Sequence, residues 1–202
     1  PQKIFLHANG VASFEESSVG ELSYVSDPAN PVPSIGGYEL SLPAGPRDQQ
    51  SIESRNDLLV FTTGPLDEPL ELTGNVTARL TLTSDAPDTD LVVRLCDVYP
   101  DGRSFNICEG ALRLSLRGGL ERQVWLKRGE PVTMEIKLWP TSMIFNRGHR
   151  LRVHVASSSS PALEPNRQNG QPPRTGAAQV ATNRILLGGD RSFLTLPVFP
   201  AR

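Results

Sequence analysis

Leu95–Gly110, LCDVYPDGRSFNICEG, reads as two strands meeting at a tight turn. Asp101 and Gly102 suit the positive-φ positions of a hairpin, and Pro100 limits the ladder just before them. The stretch also carries acid, base, hydroxyl and thiol, so it could be an active site or only a hairpin. Its flanks decide the matter. Upstream, Leu91, Val93 and Leu95 alternate with Val92 and Arg94. Downstream, ALRLSLR puts Leu112, Leu114 and Leu116 on one face and Arg113, Ser115 and Arg117 on the other. Period two with one apolar face marks a half-buried antiparallel strand.

The same rhythm recurs outward from there. Val132, Met134, Ile136 and Leu138 alternate with Thr133, Glu135 and Lys137, and Leu151, Val153 and Val155 with Arg152 and His154. Further strands are expected at 58–62, 76–83, 180–186 and 193–196. Turn pairs punctuate the runs: Gly118-Gly119, Arg128-Gly129, Arg147-Gly148 and Gly188-Gly189. No stretch keeps a 3.6-residue period, so little helix is expected. Many short strands, each greasy on one side, need a second sheet to cover them. The fold class is therefore all-β, a jelly-roll β-sandwich of two antiparallel sheets resembling galactose-binding domains, with 1–202 as one domain. Two regions break the rhythm. Residues 24–50, rich in Pro and Gly, cannot sustain a ladder, and residues 157–176 form a long polar loop of the kind that is functional, a packing arm or disordered.

Composition narrows the function classes. With 20 basic and 22 acidic residues the net charge is −2, so no global field favours nucleic acid or an anionic membrane. No apolar run approaches the roughly 18 residues of a membrane span, and no signal-peptide core is evident. The chain opens on Pro1 rather than Met, as expected of a processed chain or a piece of a longer one. Counting from a two-residue turn at Asp101-Gly102, Cys96 faces Ile107 and Cys108 faces Leu95, which puts the thiols on opposite faces. A three-residue turn would bring them level. Free, partly buried thiols in a reducing, cytoplasmic setting are the expectation.

Chemistry-bearing motifs are sparse. The Gly-x-Ser-x-Gly elbow of an α/β-hydrolase does not occur, and the three histidines have bland settings. His154 lies on the polar face beside Arg152, His149 sits among positive charges in RGHR, and His7 lies near the chain start, so surface or hydrogen-bonding roles are expected and no catalytic residue is assigned. Asp85, Asp88 and Asp90 in SDAPDTD could hold a calcium ion, but the turn glycine and distal glutamate of a calcium-binding hand are missing, so a solvated loop leading into a strand is expected and no metal ligand is assigned. Gly36-Gly37 and Gly118-Gly119 lack the spacing and following helix of a phosphate cradle, so no cofactor is expected. Trp125, Trp139, Tyr99 and Tyr38 are candidate sugar platforms, with core or rim packing the plainer role for the two tryptophans.

TDLVVRLCDVYPDGRSFNICEGALR, then WPTSMIFNRGHRLRVHVASSSSP, then FLTLPVFP closely resemble the C-terminal domain of the X-prolyl dipeptidyl-peptidase and cocaine esterase (CocE/NonD) family of serine hydrolases. SYVSDPANPVPSIGG looks like the segment joining that domain to the hydrolase core, and the likeness runs from about Phe5 to Pro200. The resemblance implies a jelly-roll sandwich whose catalytic serine, aspartate and histidine belong to a preceding α/β-hydrolase domain. Relatives carry a histidine shortly before the closing LPV, where this chain reads ATNRILLGGDRSF.

The leading expectation is thus an accessory domain that docks on an α/β-hydrolase domain of the same protein, supporting it, shaping substrate access or contacting a second copy in a homo-oligomer. The candidate interface is Ile35, Gly36 and Gly37, where a Gly-Gly pair lets backbone approach closely, together with Asn166, Asn169 and Gly170 of the long loop. The alternative is a free-standing carbohydrate- or ligand-binding sandwich.

Overall fold

The alternating runs become strands in a computed structural model that describes residues 1–40 and 43–199. Their order is β1 (Gln2–Leu6), β2 (Ala12–Ser13), β3 (Gly20–Ser26), a single-turn helix α1 (Gln50–Glu53), β4 (Leu59–Thr62), β5 (Leu70–Gly74), β6 (Thr77–Ser84), β7 (Asp90–Val98), β8 (Ser104–Arg113), β9 (Val132–Lys137), β10 (Thr141–Phe145), β11 (Arg150–Ala156), β12 (Ala181–Leu187) and β13 (Phe193–Leu196). The hairpin that opened the sequence argument is β7–β8.

One sheet runs β4-β11-β7-β8. The other is organised around β6, which pairs with β9 along 77–82. Its opposite edge is shared by β13 on 77–79 and β12 on 81–84, and the sheet continues through β1 and β2 on one branch and β3 on the other. Where β12 and β13 part, the Ser192 hydroxyl accepts a hydrogen bond from Thr81 N and donates one to Leu186 O. The polar stretch that departs from the family resemblance therefore closes the sheet by itself. β10 pairs with β5, which lies beside residues 197–199.

The apolar faces meet in one core. Leu91, Val93 and Leu95 of β7 and Leu151, Val153 and Val155 of β11 face Leu80 and Leu82 of β6, Ile185 and Leu187 of β12, and Ile4, Leu6, Leu194 and Leu196. Each such side chain contributes about 1.5–3 kcal/mol on burial. The sequence reading of a two-layer all-β sandwich holds.

Several local expectations are corrected. Leu114–Leu116 is a 3₁₀ turn, so the strand pattern of ALRLSLR stops at Arg113. The hairpin turn has three residues: Val98 faces Ser104, Gly102 N donates to Tyr99 O, and Tyr99 N donates to Arg103 O. A bulge between Leu95 and Cys96 then absorbs the extra residue, so Cys108 faces Leu95 as expected while Cys96 faces Asn106, not Ile107. Both thiols are free and buried; Cys108 joins the core and Cys96 points to the other face. β1–β3, β5 and β10 are strands beyond those expected; β2 has only two residues, and Gly20 and Ser23 break the apolar pattern of β3.

The largest departure concerns the far face of the β4-β11-β7-β8 sheet, which the alternation assigns to solvent. All nine residues of β7 are buried. The Pro/Gly-rich lead-in covers that face as a third layer: Ser34 N donates to Ser160 O, Ser160 N to Val32 O and Gln49 N to Ser104 O, while Val32, Ile52, Leu58 and Ala156 form a second small apolar cluster with Ile35 and Val60. Residues 157–168 of the long loop act as a packing arm, with Gln168 bonded to Thr89, Ser26 and Gln179.

Candidate functional site at the Tyr38 and Trp139 end

Because strand partners share a face, the covered side of the sheet is written in cross-strand rows. One row is Val60–His154–Arg94–Glu109 and the next is Thr62–Arg152–Cys96–Asn106. Gln49 and Glu53, at the start and end of α1, reach down onto these rows. Arg94 donates to Glu109 Oε2 at 2.8 and 3.0 Å and to Gln49 Oε1 at 3.0 Å. Glu53 accepts from Arg152 and from His154 Nε2 at 3.0 Å. A carboxylate only accepts, so Nε2 carries the proton and the neutral ring turns Nδ1 toward Cys96 Sγ, 3.9 Å away.

Acid, imidazole and thiol thus stand in line, an arrangement the sequence did not suggest. Its environment disarms it. Burial pushes the Cys96 thiol up to about 12 and holds His154 below its ordinary value. Burial also works against an ionised Glu53, but hydrogen bonds from His154 and Arg152 outweigh it and hold that carboxyl at about 2. Cys96 and His154 are 0% and 1% exposed, so no substrate reaches them. A thiol this basic is no nucleophile at neutral pH. The cluster's work is to bolt the lead-in to the sheet. His154 is a hydrogen-bonding residue, as expected, but not a surface one.

The aspartates behave in the same way. Asp88 accepts from Ser115 N and Asn166 Nδ2, and Asp90 pairs with Arg113 at 2.9 Å. Both are buried rather than solvated, and among the described residues no His, Cys, Asp and Glu group gathers as a metal site. His149 Nδ1 meets Asp97 at 2.9 Å beside Tyr99.

Where the lead-in leaves the sheet edge, apolar surface emerges. Tyr38 and Trp139 stack with ring centroids 5.4 Å apart at 29°. They are 43% and 58% exposed, and Leu40, two residues on from Tyr38, is 88% exposed. Trp139 does not pack into the core; its backbone is fixed by its N–H on Glu109 O while the indole stands outside. The pair walls a cavity of about 200 Å³ with Pro46, Ile107, Cys108 and Glu109.

The predicted interface residues divide between two places. Gly36 and Gly37 use their lack of a Cβ within the domain: Gly37 and Gly45 exchange backbone hydrogen bonds at 2.9 Å, and a Cβ on Gly37 would lie 2.6 Å from Glu109 Oε1. Ile35 packs on the second cluster, so this tripeptide positions Tyr38. Asn166 is buried on Asp88 and Asp90, Asn169 bonds Thr175 O and Ala177 O, and Gly170 lies against Pro87. The structure does not bring these two groups together.

The sheet register fixes where Trp139 lies. Lys3, Thr195, Thr77 and Lys137 form one row across β1, β13, β6 and β9. Pro1 lies two residues beyond Lys3 and Trp139 two beyond Lys137, and the alternating strand directions send both off the same end of the sheet. Past that end the β5–β10 ribbon exposes Ile144 and Phe199, which flank Glu71. Trp139, Ile144 and Phe199 thus stand at the end of the sandwich where β1 begins.

Reactive groups sealed inside and an aromatic surface outside are what an accessory β-sandwich is expected to show. Comparison with known proteins agrees. Residues 7–194 match the family model described as the X-Pro dipeptidyl-peptidase C-terminal non-catalytic domain, and the chain belongs to that family. It is 38% identical over 182 residues to the cocaine esterase of a Rhodococcus species, covering 87% of this chain and 32% of that protein. Among solved structures, an alpha-amino acid ester hydrolase superposes with a TM-score of 0.90 at 30% identity, over 98% of this chain and 36% of that one. An aminopeptidase from a marine-sediment Thaumarchaeota archaeon does so with a TM-score of 0.87 at 28% identity, over 98% and 37%. The chain spans about a third of the length of these relatives, which are hydrolases carrying this domain joined to a catalytic one.

Proposed function

We propose that this chain supports and shapes the catalytic α/β-hydrolase domain of a serine esterase or peptidase, docking on it through the Tyr38, Trp139 and Phe199 end. The single observation that carries the reading is the exposed aromatic cluster itself, Tyr38 stacked on Trp139 with Ile144 and Phe199 exposed past the same end of the sheet, at the end where β1 begins. Exposed apolar surface rimmed by polar groups marks contact sites, and buried Trp and Tyr anchors carry most of the energy of such contacts. With its partner absent, the same surface is available to a second copy of the chain.

A sugar-binding role for the Tyr38–Trp139 shelf fits less well. The polar walls of its cavity are already committed, Asn106 Oδ1 accepting from Arg47 N and Glu109 pairing with Arg94. Free polar groups for ligand hydroxyls are what such sites need.

The test is made in the full-length protein. Trp139→Glu with Phe199→Glu is expected to split one calorimetric unfolding transition into two and to lower esterase or peptidase activity. In the 202-residue chain the same pair is expected to leave the melting temperature nearly unchanged, because both side chains are exposed there. A single unaltered transition with full activity in the full-length variant refutes the docking face.

A further inference from the structure

The face of the β6 sheet turned away from the core carries a second concave site that the docking end does not use. Arg184 on β12 points outward between its strand partners Thr83 and Ser23. A tight turn over 127–130, closed by Glu130 N on Lys127 O and tied down by Gly129 N on Ser84 O, holds Arg128 beside it. On the other wall Asp85 is pinned to β12 by its N–H on Thr182 O and its Oδ1 on Thr182 N. Together Thr83, Ser84, Asp85, Arg128, Thr182 and Arg184 line a cavity of about 220 Å³.

The charges in this cavity are unbalanced. Among the described residues neither Arg128 nor Arg184 makes an ion pair or side-chain hydrogen bond, although each shares the cavity with Asp85. The hydroxyls of Thr83 and Thr182 have no hydrogen-bond partner there either. Two guanidinium forks and two hydroxyl donors thus face one space that holds a single carboxylate. Guanidinium forks match the oxygen spacing of phosphate and sulfate, and hydroxyl donors complete the shell. A water occupies about 30 Å³ of liquid volume, so the cavity has room for a tetrahedral oxyanion and part of what bears it.

We propose that Arg128 and Arg184, with Thr83 and Thr182, form a binding site for a tetrahedral oxyanion, the phosphate or sulfate group of a small ligand. The site is independent of the hydrolase-docking end and of the family's catalytic chemistry.

Titrating the ¹⁵N-labelled 202-residue chain with sodium phosphate, and separately with sodium sulfate, at constant ionic strength in chloride tests this. Saturable shifts confined to the amides of Thr83, Gly129, Thr182 and Arg184 are expected. Arg184→Gln and Arg128→Gln are each expected to weaken binding at least tenfold. Arg184→Lys, which keeps the charge and loses the fork, is expected to fall between. Arg122→Gln, an exposed arginine elsewhere, is expected to bind as the unaltered chain does. Unequal affinity for phosphate and sulfate identifies the preferred group. Shifts that never saturate, that appear equally with sodium acetate, or that persist in the Arg128→Gln/Arg184→Gln chain overturn the site. Melting temperatures of the variants, expected within about 2 °C of the parent because both side chains are exposed, separate lost binding from lost folding.

Discussion

Replacing Glu53 by Gln tests whether the Glu53–His154–Arg152 cluster fastens the lead-in to the sheet. Glutamine keeps the shape and still accepts from His154 Nε2, so the substitution removes charge and little else. Holding a carboxyl at about 2 instead of 4.5 corresponds by linkage to at most about 3 kcal/mol at neutral pH. The carboxylate is not fully withdrawn from water, and screening brings the expected loss to about 2 kcal/mol. For a domain of this size that lowers the melting temperature by roughly 4–8 °C. The sign with pH is fixed. A carboxyl held low in the folded state contributes fully above its unfolded value of 4.5, and the contribution drains away as pH falls toward 2. The gap between parent and variant should therefore be largest at pH 7 and shrink by more than half by about pH 3, measured by differential scanning calorimetry or urea titration. A gap that is absent at pH 7, or equally large at pH 3, refutes the claim that an ionised Glu53 holds the layer.

Gly37→Ala and Gly45→Ala form a matched pair, since both residues have left-handed φ, +88° and +82°. A Cβ at Gly45 meets open space while one at Gly37 presses on Glu109 Oε1, so Gly45→Ala should cost about 1 kcal/mol and Gly37→Ala about 2–3 kcal/mol in urea denaturation. Equal costs contradict the close approach. Burial pushes both Cys96 and Cys108 up to about 12, so at pH 8 neither should react with iodoacetamide over hours in the native chain, and both should react within minutes in guanidinium. Rapid native labelling at either position, read by mass spectrometry, contradicts the sealed placement.

The period-two alternation of Leu91–Leu95, Val132–Leu138 and Leu151–Val155 was enough to read strands and a sandwich, because the core face of a sheet is set by local pattern. The turn at Asp101-Gly102 was legible for the same reason. Its register was not: the three-residue turn and the bulge between Leu95 and Cys96 cancel, and neither leaves a compositional mark. The absence of a catalytic elbow was also readable, since that motif is contiguous.

Tertiary structure alone decided which polar residues see water. Arg94, Cys96 and His154 occupy the outward beat of their strands, and the return of residues 27–40 and 43–57 across that face, with Ser159 of the long loop on Arg94, buries them. Trp139 shows the converse, sitting in an apolar run yet standing 58% exposed because the chain leaves the sheet there. Alternation records the side of a sheet on which a residue lies. What covers that side depends on contacts between residues far apart in the chain, and no local pattern encodes them.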